Sequence, residues 1–221
     1  FLDLGASLGP YSRRANDVLD GATIVSVEAD ITRYERLKEL GIEWGGIKNT
    51  IVPVNAAIGD VSGNVVFYST GTNVSGSLVP VTDRAQNLHS ITVPMITIDS
   101  LISKYTTHDA KIFIKIDIEG GEYNALIGGM DTLKSNRDLR ILMELHSWGD
   151  GNKYPHDCFK LMRDHGFAFQ KISKHYLFDK TPPQGRTGSY HYEITFWWLK
   201  TALRKIPILR SLRDLIRKIY K

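Results

Sequence analysis

The run Lys111-Ile112-Phe113-Ile114-Lys115-Ile116-Asp117 is apolar at nearly every position between its ends. A strand with one face in water alternates polar and apolar residues, whereas a strand covered on both faces does not. This run therefore belongs in the middle of a parallel sheet with helices on either side. Other segments fit around it. Residues 1–4, 24–28, 51–57 and 140–146 read as strands. Residues 12–19, 32–40, 99–105, 121–133 and 155–165 read as helices, with Gly41 and Gly166 as C-terminal stops and Asp99 as an N-cap. Strand and helix alternate, which implies right-handed crossovers. Residues 61–96 interrupt the alternation as a strand-containing insertion between the third and fourth core strands. Residues 167–172 and 192–199 read as a closing antiparallel pair. The expected fold is α/β and Rossmann-like, mostly parallel, with that final antiparallel pair.

Composition narrows the class. Of the 221 residues, 42% are hydrophobic and 24% charged, as in ordinary globular chains. No stretch approaches the roughly 18 apolar residues of a membrane span. The chain begins at Phe1, and its first residues lack the basic and apolar regions of a secretory signal. A single cysteine excludes an intrachain disulfide and fits a reducing compartment. Cys158 falls in a helical stretch and reads as a buried small hydrophobe. A cytoplasmic location is expected. The net charge of +4 hides an asymmetry: residues 200–221 hold eight Lys and Arg against Asp214 alone, which leaves −3 for the rest. The body carries no basic patch with interleaved aromatics, so no nucleic-acid partner is expected. In residues 201–221 the apolar positions Leu203, Ile206, Leu209, Leu212, Ile216 and Ile219 form one helical stripe among basic residues. This tail reads as a basic amphipathic helix, set apart from a domain of residues 1–200. It suits peripheral contact with an anionic membrane, the domain itself or a partner.

Two motifs carry chemistry. Asp3-Leu4-Gly5-Ala6-Ser7-Leu8-Gly9 joins the first strand to the first helix. Small residues there let a ligand approach the backbone beside a helix N-terminus. The pattern is D-x-G-x-x-x-G, not the dinucleotide G-x-G-x-x-G. Asp3 would repel a pyrophosphate and attract an ammonium group. The second strand ends in Glu28, 23 residues after Gly5, where a carboxylate can grip both ribose hydroxyls. The other motif, Ile114-Lys115-Ile116-Asp117-Ile118-Glu119-Gly120-Gly121-Glu122, puts three carboxylates at a strand-to-helix junction.

With these strings in view, the sequence resembles the FkbM-like methyltransferase family, whose hallmark strand reads roughly Lys-Ile-Asp-Val-Glu-Gly-Ala-Glu. Lys115, Asp117, Glu119, Gly120 and Glu122 match it, with Ile118 for Val and Gly121 for Ala. The likeness extends through Asp3-x-Gly5-Ala6-x-x-Gly9, Glu28, residues 55–60, residues 97–101 and residues 142–146, in order over about residues 1–200. The resemblance implies a class I methyltransferase sheet and S-adenosylmethionine as cofactor. It also implies O-methylation of a small-molecule, sugar, glycan or glycolipid-type acceptor. By the same resemblance Asp3, Gly5 and Gly9 approach the methionine part, with Ala6 and Ser7 in the same turn. Glu28 approaches the ribose, Ala57 borders the adenine, and Asp117 lies between cofactor and acceptor.

A hydroxyl is a poor nucleophile, so a base should take its proton. His146, at the end of the next strand, titrates in the right range; Glu119 and Glu122 are alternatives. The acid cluster with His146 can also hold a divalent cation, but no spacing demands one and no metal is expected. Lys115 and Glu144, each two residues before a strand end, are expected to form a buried ion pair. Trp44, Trp148 and Tyr154 are placed near the rim, and residues 71–77 form a lid or an ordinary loop. The competing reading is a non-catalytic cofactor-binding module held by its tail to a membrane or partner. Oligomeric state is left open.

Overall fold

A computed structural model describes residues 1–44, 48–69, 76–78, 89–135, 138–146 and 155–180. In chain order come β1 (Leu2–Leu4), α1 (Pro10–Val18), β2 (Thr23–Glu28), α2 (Ile31–Trp44) and β3 (Thr50–Asn55). Next are β4 (Ala57–Ile58), β5 (Gly63–Ser69), β6 (His89–Ile96), α3 (Ile98–Tyr105) and β7 (Ile112–Ile116). The last elements are α4 (Glu122–Ile127), α5 (Met130–Lys134), β8 (Leu139–Glu144), α6 (Pro155–Asp164), β9 (Phe167–Ile172) and β10 (His175–Lys180).

Seven strands form one sheet in the order β3-β2-β1-β7-β8-β10-β9. The first five are parallel, and β10 runs antiparallel to both neighbours. This is the expected Rossmann-like sheet with its antiparallel closing pair. Successive strands move outward from β1 to β3, then the chain crosses back to β7 on the other side of β1. The β1–β7 seam is therefore a topological switch point, and a crevice opens at the carboxyl ends of its strands. Leu4, Ile114, Ile116, Met143 and Phe178 are fully buried in the core around that seam. The insertion makes a separate three-stranded sheet, β4-β6-β5. Among the described residues, no helix is long and apolar enough to cross a membrane.

Several local expectations are corrected. Helix α2 runs through Gly41 to Trp44. Gly41 is no stop; it is buried against β3, where a Cβ would stand 3.3 Å from Ile51. The third core strand ends at Asn55, and Ala57–Ile58 turn away to pair with β6. The single helix expected over residues 121–133 is two short ones separated at Gly128-Gly129, where a Cβ on Gly128 would lie 2.1 Å from the Gly59 carbonyl oxygen. Thr97, not Asp99, caps α3, in a reciprocal box with Ser100. Asp99 instead accepts the Asp131 and Thr132 amides at 3.0 and 2.8 Å, holding the start of α5. The partner of β9 is β10, reached by a tight turn at Ser173, whose φ is +59°. Residues 192–199 lie outside the described residues. So do 201–221, the 71–75 part of the expected lid, Trp148 and Tyr154. Contacts group the chain into Phe1–Thr181 and Pro182–Lys221, and the expected boundary at residue 200 lies outside the described residues.

Gly128 has a right-handed helical φ of −69°, a conformation in which alanine is intrinsically favoured over glycine. Gly128→Ala is nevertheless expected to lower stability by about 1–3 kcal/mol through its clash with Gly59. Urea unfolding monitored by circular dichroism reads this directly, and a stabilised variant would refute the close packing.

Candidate active site

The turn after β1 is built by backbone. The Gly5 and Ala6 amides both donate to the Val27 carbonyl, at 3.0 and 2.9 Å, so the chain leaves β1 pinned to β2. Gly5 has φ +74°, and a Cβ there would sit 1.9 Å from the Asp117 carbonyl oxygen. Its bareness lets the ends of β1 and β7 meet. Ser7 then turns through φ +52°, a conformation strained for a side-chain-bearing residue, and aims its amide at Glu28 Oε2, 2.7 Å away. Glu28 Oε1 accepts the Asp30 amide at 2.9 Å. Burial raises the Glu28 pKa, against the lowering effect of these two amides and the Arg33 charge.

Beside Glu28 lies a crevice of about 110 Å³ that opens to solvent. Gly5, Ser7, Glu28, Arg33, Ala57, Asp117 and Glu119 line it. Ala29, Ala56, Ile58, Phe67 and Leu78 give it an apolar wall. Phe67 comes from β5 of the insertion and packs with Ala29 and Ala57. Two further bonds fix the insertion over the crevice. Ser69 donates to the Asp30 carboxylate, which also accepts the Thr32 and Arg33 amides at the start of α2. Ser77 donates to the Glu119 carbonyl at 2.9 Å.

Asp3 is fully buried below the crevice. Its Oδ2 accepts the amide and hydroxyl of Ser12 at 3.0 and 2.7 Å, and so holds the first turn of α1. Its Oδ1 stands 3.2 Å from Lys115 Nζ. Lys115 also donates to the Gly5 carbonyl at 2.7 Å. The expected Lys115–Glu144 pair is absent. The register sets Lys115 between Asp3 and Leu142, two residues short of Glu144. Glu144 pairs with Lys174 at 2.5 Å and approaches His175 at 3.5 Å.

An acid–imidazole cluster adjoins the crevice. The His146 side chain is 6% exposed and Glu122 is 3% exposed. His146 Nδ1 lies 2.8 Å from Glu122 Oε1, which also accepts the Gly120 amide at 3.1 Å. This pattern places the Nδ1 proton toward Glu122 and turns Nε2 toward Asp117, Glu119 and Glu144, at 3.9, 3.7 and 3.9 Å. Glu119 holds its position with φ +56°, a second strained residue at the crevice. Burial works to lower the His146 pKa, but the Glu122 hydrogen bond and the charges of Glu122, Glu119 and Asp117 leave it raised. Nearby, burial and the charges of Asp117, Asp3 and Glu144 push the Tyr11 hydroxyl up to about 12. His175 is kept below its ordinary pKa, chiefly by burial. Tyr11 therefore keeps its proton, and its hydroxyl lies 3.2 Å from His175 Nε2.

Of the residues singled out from sequence, Gly5, Ser7, Glu28, Ala57, Asp117 and Glu119 share one crevice. His146 sits behind Asp117 and Glu119. Asp3, Ala6 and Gly9 do not line it: Asp3 is a buried anchor, and a Cβ on Gly9 would strike Leu37 and Trp44 at 2.6 and 2.7 Å. Trp44 packs there, with Arg13 5.6 Å from its ring centroid and its carbonyl accepting from Asn16. Cys158 is buried in α6, its thiol pushed up to about 12 mainly by burial. Sequence reading missed Phe67, Leu78, Tyr11 and His175. The β-type run around Phe67 was visible, but nothing local says which side of the sheet an insertion folds over.

Residues 3–169 match the Methyltransferase FkbM domain family. A solved structure from Pyrococcus horikoshii, described as an RNA methyltransferase, is 14% identical with a TM-score of 0.37. That match covers 81% of this chain and 74% of the other. Comparison with curated proteins finds no match.

Lys115→Met strands the Asp3 carboxylate without a counter-charge and is expected to cost about 3–5 kcal/mol. Adding Asp3→Asn removes the stranded charge, so the double variant should recover part of that loss. Denaturant titration of both single variants and the double variant decides it; strictly additive losses would show that the pair does not couple.

Proposed function

Because the chain belongs to the FkbM methyltransferase family, we propose that it moves the methyl group of S-adenosylmethionine to a hydroxyl oxygen of a sugar-type acceptor. The observation that carries this reading is one crevice joining three features: the Glu28 carboxylate, an apolar wall around Ala57 and Phe67, and the carboxylates of Asp117 and Glu119. An adenosyl sulfonium has complementary parts in that order.

S-adenosylmethionine, when bound, supplies an electrophilic methyl on a positively charged sulfur. Glu28 accepts from the ribose hydroxyls with the lone pairs that Ser7 and Asp30 leave open. Ala57, Phe67 and Leu78 take the adenine plane out of water. Asp117 and Glu119 offset the positive charge of the methionine end. His146 accepts the hydroxyl proton at Nε2 while Glu122 holds Nδ1. The chain's contribution to rate is alignment, exclusion of water and that proton transfer. A polyhydroxylated acceptor suits the rim of carboxylates and imidazoles, which offers many hydrogen-bond acceptors. Asp117 and Glu119 face His146, and Glu144 pairs with Lys174. The basic stripe of residues 201–221 supports contact with an anionic membrane, which would bring lipid-borne glycans within reach.

Calorimetry with S-adenosylmethionine, S-adenosylhomocysteine and NAD tests the donor, and turnover on a glycan library tests the acceptor. Binding of the two adenosyl compounds but not NAD is expected. Binding with no turnover on any acceptor would instead mark a non-catalytic module. Phe67→Ala should weaken S-adenosylmethionine binding by about tenfold. His146→Ala should lower kcat by about 10²–10⁴-fold, with donor affinity at pH 8.5 nearly unchanged. The wild-type kcat/KM for the donor should rise with pH through a midpoint above the ordinary 6.5 of histidine, since in the free enzyme the raised pKa keeps the base protonated below it.

A further inference from the structure

Asp117 and Glu119 face two ways. Both line the crevice, and both point a carboxylate oxygen at His146 Nε2, 3.9 and 3.7 Å away. Among the described residues, the other charged and titratable groups around His146 are the following. Glu122 of α4 holds Nδ1 at 2.8 Å. Glu144 of β8 stands 3.9 Å from Nε2 and carries Lys174, with His175 of β10 beside it. Lys115 of β7 is 3.8 Å from Asp117 but is held by Asp3 and the Gly5 carbonyl. Cys158 of α6 stays a neutral thiol. The carboxylates that would meet a cation in the crevice are therefore those that favour the imidazolium form of His146.

We propose that a cationic donor and the His146 proton compete for Asp117 and Glu119, so that donor binding expels the proton and leaves His146 ready to act as a base. The inference rests on the donor reading above. A charge within about 4–6 Å moves a titration midpoint by about 1–3 pH units. Linkage is reciprocal, so donor affinity should rise tenfold per pH unit between the two His146 midpoints and level off outside them. During transfer, the acceptor O–H proton goes to His146 Nε2 as the C–O bond forms and the C–S bonding pair returns to sulfur. The imidazolium then regains both carboxylates, because the thioether product carries no charge at sulfur. Arming and reset thus use the same two side chains.

Calorimetry of the full chain near the His146 midpoint, in buffers of different ionisation enthalpy, counts the protons released. S-adenosylmethionine should release a substantial fraction of one proton, and S-adenosylhomocysteine clearly less. His146→Gln should bind S-adenosylmethionine with no release. A second reading avoids reliance on that variant's folding: the His146 ring signal, followed by NMR, should titrate at least about 1 pH unit lower with S-adenosylmethionine bound. Equal proton counts for the two ligands, an unmoved His146 midpoint, or release that persists in a folded His146→Gln would overturn the inference alone. Failure to bind S-adenosylmethionine at all would refute the donor reading, and this inference with it.

Discussion

One ammonium holds the centre of the molecule together. Lys115 lies in the buried middle strand and bridges to the first strand through Asp3 and the Gly5 carbonyl. Asp3 in turn holds the first turn of α1 through Ser12. A charge at 2% exposure is costly unless fully paired, and here it is paired across the one seam where the sheet reverses its order. The pair ties together the strand, turn and helix that border the crevice. A shifted β1–β7 register would break it and move Glu28 relative to Asp117. The pair also redefines Asp3: an acid that could have met a ligand is spent below the site as part of its floor.

Above that floor the electrostatics are lopsided. Glu28, Asp117, Glu119, Glu122 and Glu144 gather at strand ends, while among the described residues the cations there are Lys174 on Glu144, Lys115 beside Asp117, Arg33 lining the crevice and whatever proton His146 holds. Such a surplus is tolerable only if a cation arrives or a proton stays. Both outcomes serve the proposed chemistry, one before the donor binds and one after transfer. Strain supports the arrangement. Ser7 and Glu119 each occupy left-handed backbone at the crevice, one to present an amide to Glu28 and the other to present a carboxylate.

The sequence was legible where physics is local. The apolar run of β7 and the alternation of strands and helices fixed the sheet, and acids at strand ends marked Glu28, Asp117 and Glu119. It was less legible where the answer depends on a neighbour. Gly41 and Gly128 were misread because their bareness answers Ile51 and the Gly59 carbonyl, both distant in sequence. Asp99 resembles the cap of its own helix but serves α5, which its helix packs beside. The Lys115–Glu144 expectation failed by two residues of register, since counting back from strand ends does not say which residues lie opposite. Phe67 and Leu78 went unseen because an insertion's position over the sheet is tertiary information.

The central claim is that carboxylates at the ends of neighbouring strands receive a cationic adenosyl group. A crystal structure with S-adenosylhomocysteine bound measures this most directly. The account requires the ribose hydroxyls on Glu28, the adenine between Ala57 and Phe67, and the sulfur on the Asp117 side of the crevice. A ligand seated elsewhere on the sheet, or a ribose out of hydrogen-bonding reach of Glu28, would contradict it.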